Sequence, residues 1–250
     1  MTAKSGLRVL LYGAEAQHLA PLVQRHANLT LVEADPDVVV SYGGDGTLLA
    51  AELAYPGLPK VPVLNSMRGH RCIPHPPAEV IALLADGALV SNIYTKLECA
   101  IYRNTTPEPQ KIITPLNEIM VLKGHVNSAV RYKLWINGDP YEGGLEILGD
   151  GVIVCTPFGS TAYFSKVTRG VFRQGIGVAF MATAEHVSHI VVPEDSVIRL
   201  LITRGPAVLA YDNSEDRLPV DAGDELAVLK HPRGATILAC DFVRRLAEPF

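Results

Sequence analysis

The sequence predicts an α/β domain built on a parallel sheet, followed by a mostly antiparallel β domain. Three observations carry this expectation. The first ninety residues alternate short apolar runs with helix-like stretches, the pattern of parallel strands joined by crossover helices. Beyond about Asn92 the runs become short, alternate in polarity and are joined by tight turns. With 250 residues and 48% hydrophobic content, the chain can bury the core of one large domain or of two modest ones. The division predicted is 1–92 and 93–235.

Each element has its own reason. Leu7–Tyr12 is a short apolar run and reads as the first strand; residues 16–27 follow as a helix despite Pro21. Residues 37–42, β-branched and bounded by Pro36 and Gly43, read as a buried strand. Residues 47–54 are a helix and 61–64 a strand. Pro76 and Pro77 open a helix that stops at Gly87. In the second region the strand candidates are 93–103, 119–123, 130–136, 145–148, 152–155, 177–181, 197–203, 207–211 and 226–229. The clearest hairpin signal is Asn137-Gly138-Asp139-Pro140, after the alternating run 130–136. The closing stretch reads as a strand at 235–240 and a short helix at 242–246.

Composition excludes several classes. Twenty-two basic residues stand against 26 acidic, a net charge of −4, so no chain-wide grip on nucleic acid or anionic lipid is expected. Aromatic residues, at 6%, are sparse for a base-stacking surface. The N-terminus has no long apolar core of a signal peptide, and no segment approaches the roughly 18 apolar residues of a membrane span. Cys72, Cys99, Cys155 and Cys240 lie far apart without a Cys-x-x-Cys pair, which points to a reducing cytoplasm. No protein-held metal site is expected. His186 and His189 lack His-Glu-x-x-His spacing, and Cys72 between His70 and His75 has no fourth ligand in sequence. Ser160 lacks the elbow of a hydrolase nucleophile, and no Walker A loop is present.

Three stretches carry chemistry. Gly43-Gly44-Asp45-Gly46-Thr47 lies between a buried strand and a helix. Glycines there let the backbone approach a ligand, and the following helix start favours an anion such as phosphate. A carboxylate at that place repels phosphate, so Asp45 must serve otherwise, by accepting a hydroxyl proton or meeting a metal. The same residues read equally as a plain Asp-Gly turn. The second stretch, 149–163, places Asp150 between glycines before a strand that ends in a turn rich in hydroxyls with Tyr163. It suits a nucleobase or ribose, or a simple hairpin ending in a Ser/Thr turn. The third is Asn117-Glu118, a polar pair at a strand start, or a solvated strand entry. Lys166, Arg169 and Arg173 could meet phosphates or form a solvated helix face.

Taken together, these stretches resemble the NAD kinase family (ATP- or polyphosphate-dependent), through GGDGTLL at 43–49, LNEIMV at 116–121 and GDGVIVCTPFGSTAY at 149–163. The resemblance implies a kinase that phosphorylates the adenosine-ribose 2′-hydroxyl of NAD to give NADP. The donor would be ATP or polyphosphate, with Mg²⁺ or another divalent cation. Asp45 would be the general base, with Gly44 and Gly46 near the transferring phosphate. Asn117 and Glu118 would contact adenosine, and Asp150 a ribose or the nicotinamide end. Thr161, Ala162 and Tyr163 would line the adenine and ribose pocket, with Ser165 and Lys166 beside them. The resemblance also implies a β-sandwich-like second domain, a tail at 236–250 returning to the first domain, and a homodimer or homotetramer. It departs from the family pattern at 65–73, where only Gly69 and His70 match, at 164–170, at 185–189, and at Asp212-Asn213-Ser214. Two rival readings are a lipid or sugar kinase sharing GGDG and a diverged nucleotide-binding sensor without activity.

Overall fold

The structure is a computed structural model and describes residues 6–67, 69–104, 106–184 and 187–240. The predicted helix at 242–246 and the tail beyond residue 240 lie outside the described residues. Two compact units result: residues up to Tyr94 together with those from Gly234 onward, and Thr95–Arg233.

The first unit holds β1 (Leu7–Tyr12), α1 (Ala20–Val23), β2 (Leu29–Leu31), β3 (Val38–Gly43), α2 (Asp45–Ala54), β4 (Lys60–Leu64), α3 (Pro77–Ala85) and β5 (Val90–Tyr94). The second holds β6 (Leu97–Tyr102), β7 (Lys111–Ile113), β8 (Glu118–Lys123), β9 (Val130–Ile136), β10 (Asp139–Pro140), β11 (Ile147–Gly149), β12 (Gly151–Cys155), α4 (Tyr163–Thr168), β13 (Ile176–Met181), β14 (His189–Val192), β15 (Ile198–Arg204), β16 (Ala207–Tyr211), β17 (Leu218–Val220) and β18 (Glu225–Lys230). The final strand, β19 (Ala235–Ala239), belongs to the first unit again.

Unit one is a six-stranded sheet ordered β2-β1-β3-β4-β19-β5. All its pairings are parallel except β19 with β5. Val38, Val39 and Val40 are all buried, as expected of a parallel strand covered on both faces. On one face Val9, Val38, Val40, Val61 and Val63 meet Leu19 and Val23 and, from α3, Val80, Ile81 and Leu84. On the other face Leu10 and Val39 meet Ala51 of α2. α2 is tied down near its far end by an ion pair between Glu52 and Lys60 of β4, both almost fully buried; Lys60 also donates to the carbonyl of Tyr55. The helix predicted at 16–27 is shorter. A 3-10 turn at Ala16–Leu19 runs into α1, which places Pro21 in its first turn and ends at Val23.

Unit two is built of two antiparallel sheets, β10-β9-β15-β18-β6-β7 with β11 beside β9, and β14-β13-β12-β8-β16-β17. The turn after β9 forms as predicted, with Asn137 at φ 53° and Gly138 at φ 89°, the left-handed pair that a two-residue hairpin needs. β12 lies in the middle of its sheet, between β13 and β8, with all five residues buried. The strand predicted over 93–103 is two strands. β5 pairs with β19 and ends at Tyr94, while β6 starts at Leu97 and pairs with β18 and β7.

Candidate active site

In unit one the three valines of β3 lead into Gly43, and α2 begins two residues later at Asp45, with Gly44 as its N-cap. A Cβ on Gly43 would lie 2.2 Å from Oγ1 and 2.8 Å from Cβ of Thr47, so glycine lets the first helical turn fold over the strand end. Asp45 thus opens the helix where the dipole favours a negative charge. Its carboxylate reaches the loop after β4: Oδ2 accepts the N–H of His70 at 3.0 Å and Oδ1 that of Arg71 at 2.8 Å. Two main-chain donors leave lone pairs available, since a carboxylate offers about four acceptor positions.

That loop is the 65–73 segment, of which residue 68 lies outside the described residues. Cys72 Sγ lies 3.7 Å from the Gly43 carbonyl and 3.8 Å from Asp45 Oδ1. Burial first, then the Asp45 charge, pushes its thiol up to about 12, so Cys72 is a neutral thiol here. Burial holds the Arg71 guanidinium below its ordinary value against the opposing influence of Tyr94 and Asp45. Asn65 donates from its amide to Glu15 at 2.8 Å and from its backbone to the Gly43 carbonyl at 2.8 Å.

In unit two the polar pair at the start of β8 is buried: Asn117 is 8% exposed and Glu118 5%. Asn117 Oδ1 and Glu118 Oε2 are buried oxygens without a hydrogen-bond partner among the described residues. Such atoms cost free energy unless something meets them. Burial first, then the charge of Asp212, raises the Glu118 carboxyl to about 8, so it is largely protonated at neutral pH. A protonated carboxyl presents one O–H donor and retains acceptor capacity. Cys155 stands opposite Glu118 in the sheet, and burial holds its thiol far above the ordinary range.

The loop after β12 locks onto the same backbone. Thr156 donates its N–H to the Asn117 carbonyl at 2.9 Å and its hydroxyl to the Leu116 carbonyl at 2.6 Å. Gly159 lies so close that a Cβ there would sit 2.3 Å from the Asn117 carbonyl oxygen. Ser160 is buried and donates its hydroxyl to the Pro157 carbonyl at 2.8 Å, or to that of Phe172 at 3.1 Å. Thr161 and Ala162 lead into α4, where Tyr163 is 41% exposed and Lys166 is exposed. The Ser165 hydroxyl donates back to the Ala162 carbonyl at 2.9 Å, or to that of Thr161 at 3.1 Å.

Asp150 is elsewhere. It precedes β12, next to Gly151 opposite Leu122, whereas Glu118 pairs with Cys155 at the other end. Four strand residues put these ends about 13 Å apart. Asp150 forms an ion pair with Lys123 at 2.8 Å and borders a cavity of about 330 Å³ with Glu146, Leu148 and Ala182. Within unit two the structure therefore brings Asn117, Glu118 and the 156–163 loop together and leaves Asp150 at the far end of the strand.

Sequence reasoning missed the main-chain donors at His70 and Arg71 and passed over Thr156, whose place inside the 149–163 stretch was visible. It also gave Asp212 no role. Among the described residues no group of three or more His, Cys, Asp or Glu could hold a metal, and no helix is long and apolar enough to cross a membrane.

A model of the ATP-NAD kinase C-terminal domain matches residues 116–239. The NAD kinase of Chloroflexus aggregans is 30% identical over 222 residues, covering 84% of this chain and 76% of its own length. That of Porphyromonas gingivalis is 29% identical over 198 residues, covering 74% and 65%. Among solved structures, yeast NADH kinase complexed with NADH is similar with a TM-score of 0.82 at 16% identity, covering 98% of this chain and 87% of that one. An NAD kinase from Archaeoglobus fulgidus in complex with ATP gives 0.73 at 18% identity, covering 95% and 94%. At those identities the two structures establish the fold: a unit on a parallel sheet and a unit of antiparallel sheets.

Proposed function

The chain belongs to the NAD kinase family, and from that premise we propose which of its residues carry the reaction. The protein is an enzyme that transfers a phosphoryl group from ATP, or polyphosphate, to the 2′-hydroxyl of the adenosine ribose of NAD, giving NADP. The lipid or sugar kinase and the inactive sensor are set aside with that assignment.

Asp45 takes the proton from the 2′-hydroxyl. Support comes from its place at the strand–helix junction and from the N–H groups of His70 and Arg71, which fix its carboxylate. Gly44 and Gly46 lie by the transferring phosphate, where main-chain N–H groups at a helix start suit an anion. Most of the catalysis in such a transfer is positioning and charge stabilisation. Mg²⁺, or another divalent cation, would come on the phosphates of the donor and offset their charge.

Asn117 and Glu118 hold the adenosine, and this placement rests on one observation: two buried oxygens with unspent hydrogen bonds. An amide oxygen and a largely protonated carboxyl can answer both the donors and the acceptors of adenosine. Thr161, Ala162 and Tyr163 line the adenine and ribose pocket, with Ser165 and Lys166 beside them. Asp150 meets the nicotinamide end or its ribose, a placement supported by the extended shape of a dinucleotide. A division into 1–92 with 236–250, and 93–235, is proposed, and it draws support from two compact units whose limits fall close by, at Tyr94 and Gly234. A cytoplasmic homodimer or homotetramer is proposed from the family resemblance, and the four free cysteines suit a reducing compartment.

Calorimetry with NAD tests the central placement. Asn117→Ala is expected to weaken NAD binding by roughly 1–3 kcal/mol, the cost of leaving buried polar groups unpaired. Unchanged affinity in a folded variant would remove adenosine from this position.

A further inference from the structure

β16 ends at Tyr211, opposite Ile119 of β8, and the chain then turns at Asp212 with a left-handed backbone, φ 44°. That turn carries the Asp212 carboxylate back to the start of β8, where it accepts three successive main-chain N–H groups. Oδ2 takes Leu116 at 2.7 Å; Oδ1 takes Asn117 at 2.7 Å and Glu118 at 3.2 Å. In return the Asp212 N–H donates to the Glu118 carbonyl at 3.1 Å. Successive N–H groups of an extended strand point to alternate sides, so three of them meet one acceptor only where the backbone curls around it. The carbonyls of Leu116 and Asn117 go to Thr156. Of the six main-chain polar groups at 116–118, Asp212 thus engages four.

We propose that Asp212 is a positioning residue for NAD: its carboxylate curls the main chain at 116–118 so that the Asn117 amide and the Glu118 carboxyl are aimed at the adenosine. The inference rests on the placement of adenosine at those two residues. Asp212 touches no reacting atom in this role; it acts through its neighbours. A carboxylate suits this role because hydrogen bonds to a charged acceptor are shorter and stronger than neutral ones, and a fixed curl needs that strength. Burial pushes the Asp212 carboxyl up to about 6, while the three N–H groups and the Lys96 charge pull the other way. Asparagine would keep the shape and one accepting oxygen, but its amide would confront the Leu116 N–H donor to donor.

The test is a mutant cycle read by NAD affinity. Asp212→Asn is expected to weaken NAD binding roughly tenfold to a hundredfold, with the variant still folded and KM for ATP little changed. Combined with Asn117→Ala and Glu118→Gln, it should cost almost nothing further, because residues acting through one another do not add. A loss of equal size in both backgrounds overturns the proposal, and so does wild-type affinity in Asp212→Asn. If Asn117→Ala/Glu118→Gln itself binds NAD normally, the placement of adenosine fails instead. Should Asp212→Asn not fold, Asp212→Ser, whose hydroxyl can still accept one N–H, is read in the same cycle. Failure of both to fold overturns a role confined to this site.

Discussion

Asp45 and Glu118 are both acids at the end of a strand, one in each unit, and they are provided for in opposite ways. Asp45 is half-buried, and its two oxygens each accept a main-chain N–H. Glu118 is almost wholly buried and keeps an oxygen without a partner among the described residues. A group that must take a proton needs fixed geometry with lone pairs to spare. A group that must recognise a ligand needs hydrogen bonds that the protein has not spent. The first is reached by surrounding the acid with donors, the second by fixing only the backbone beneath it and leaving the side chain unanswered.

The strongest way to break this contrast is at Asp45. Asp45→Asn keeps the shape but cannot take the proton, so NADP formation should fall about 10²–10⁴-fold while calorimetry still finds NAD bound. Turnover close to wild type would take Asp45 out of the catalytic role.

Next in size is Gly159→Ala. The new Cβ would meet the carbonyl oxygen of Asn117 at 2.3 Å, and since that neighbour is backbone, the 116–118 segment has to move. The expected result is a loss of about 1–3 kcal/mol in stability, from urea unfolding, together with weaker NAD binding. An alanine variant as stable and as tight-binding as wild type would show that the backbone there is not fixed.

Glu118→Gln sharpens the comparison through pH. The Glu118 carboxyl is raised from its usual value to about 8, so between about 4.5 and 8 the native state binds more protons than the unfolded one. Stability is then fully present at the acid end of that window and falls as pH rises through it. Asp212 acts with the same sign but only up to about 6. The variant should therefore show a flatter stability curve than wild type between about pH 6 and 8. Parallel curves would mean that Glu118 is not held protonated by the fold.

The smallest effect belongs to Lys166 and Arg169, both exposed on or just after α4. If either reaches a phosphate of NAD or ATP, Lys166→Ala/Arg169→Ala lowers the salt dependence of affinity. Identical salt slopes in the two proteins would return both side chains to the surface.

How much of this could be read beforehand varies from element to element. Strands 130–136 and 207–211 were legible to the residue, the first because polarity alternates along most of it before a turn, the second as a short apolar run between Pro206 and Asp212. Asp45 and Asn117-Glu118 were legible through the glycines and the polar pair at a strand start. Three-residue strands such as Leu29–Leu31 and Lys111–Ile113 are too short to show a period, and they exist because a neighbour supplies the hydrogen bonds. The run 93–103 reads as one strand because Thr95-Lys96 interrupts it only briefly and no Gly or Pro marks where the chain leaves one sheet for another. The donors to Asp45 and the clamp by Asp212 bridge 25 or more positions of sequence. No local pattern encodes them.

The place of β19 carries one more consequence. It lies between β4 and β5, bonded in parallel to one and antiparallel to the other, although everything from Thr95 to Arg233 is made before it. On a ribosome the unit whose first strand emerges earliest is therefore the last to be finished. Its four leading strands must wait with an open edge at β4 until the whole of the other unit has been synthesised. A chain halted just after Arg233 has all the residues of the second unit, yet its first sheet lacks β19 and, with it, the one partner of β5.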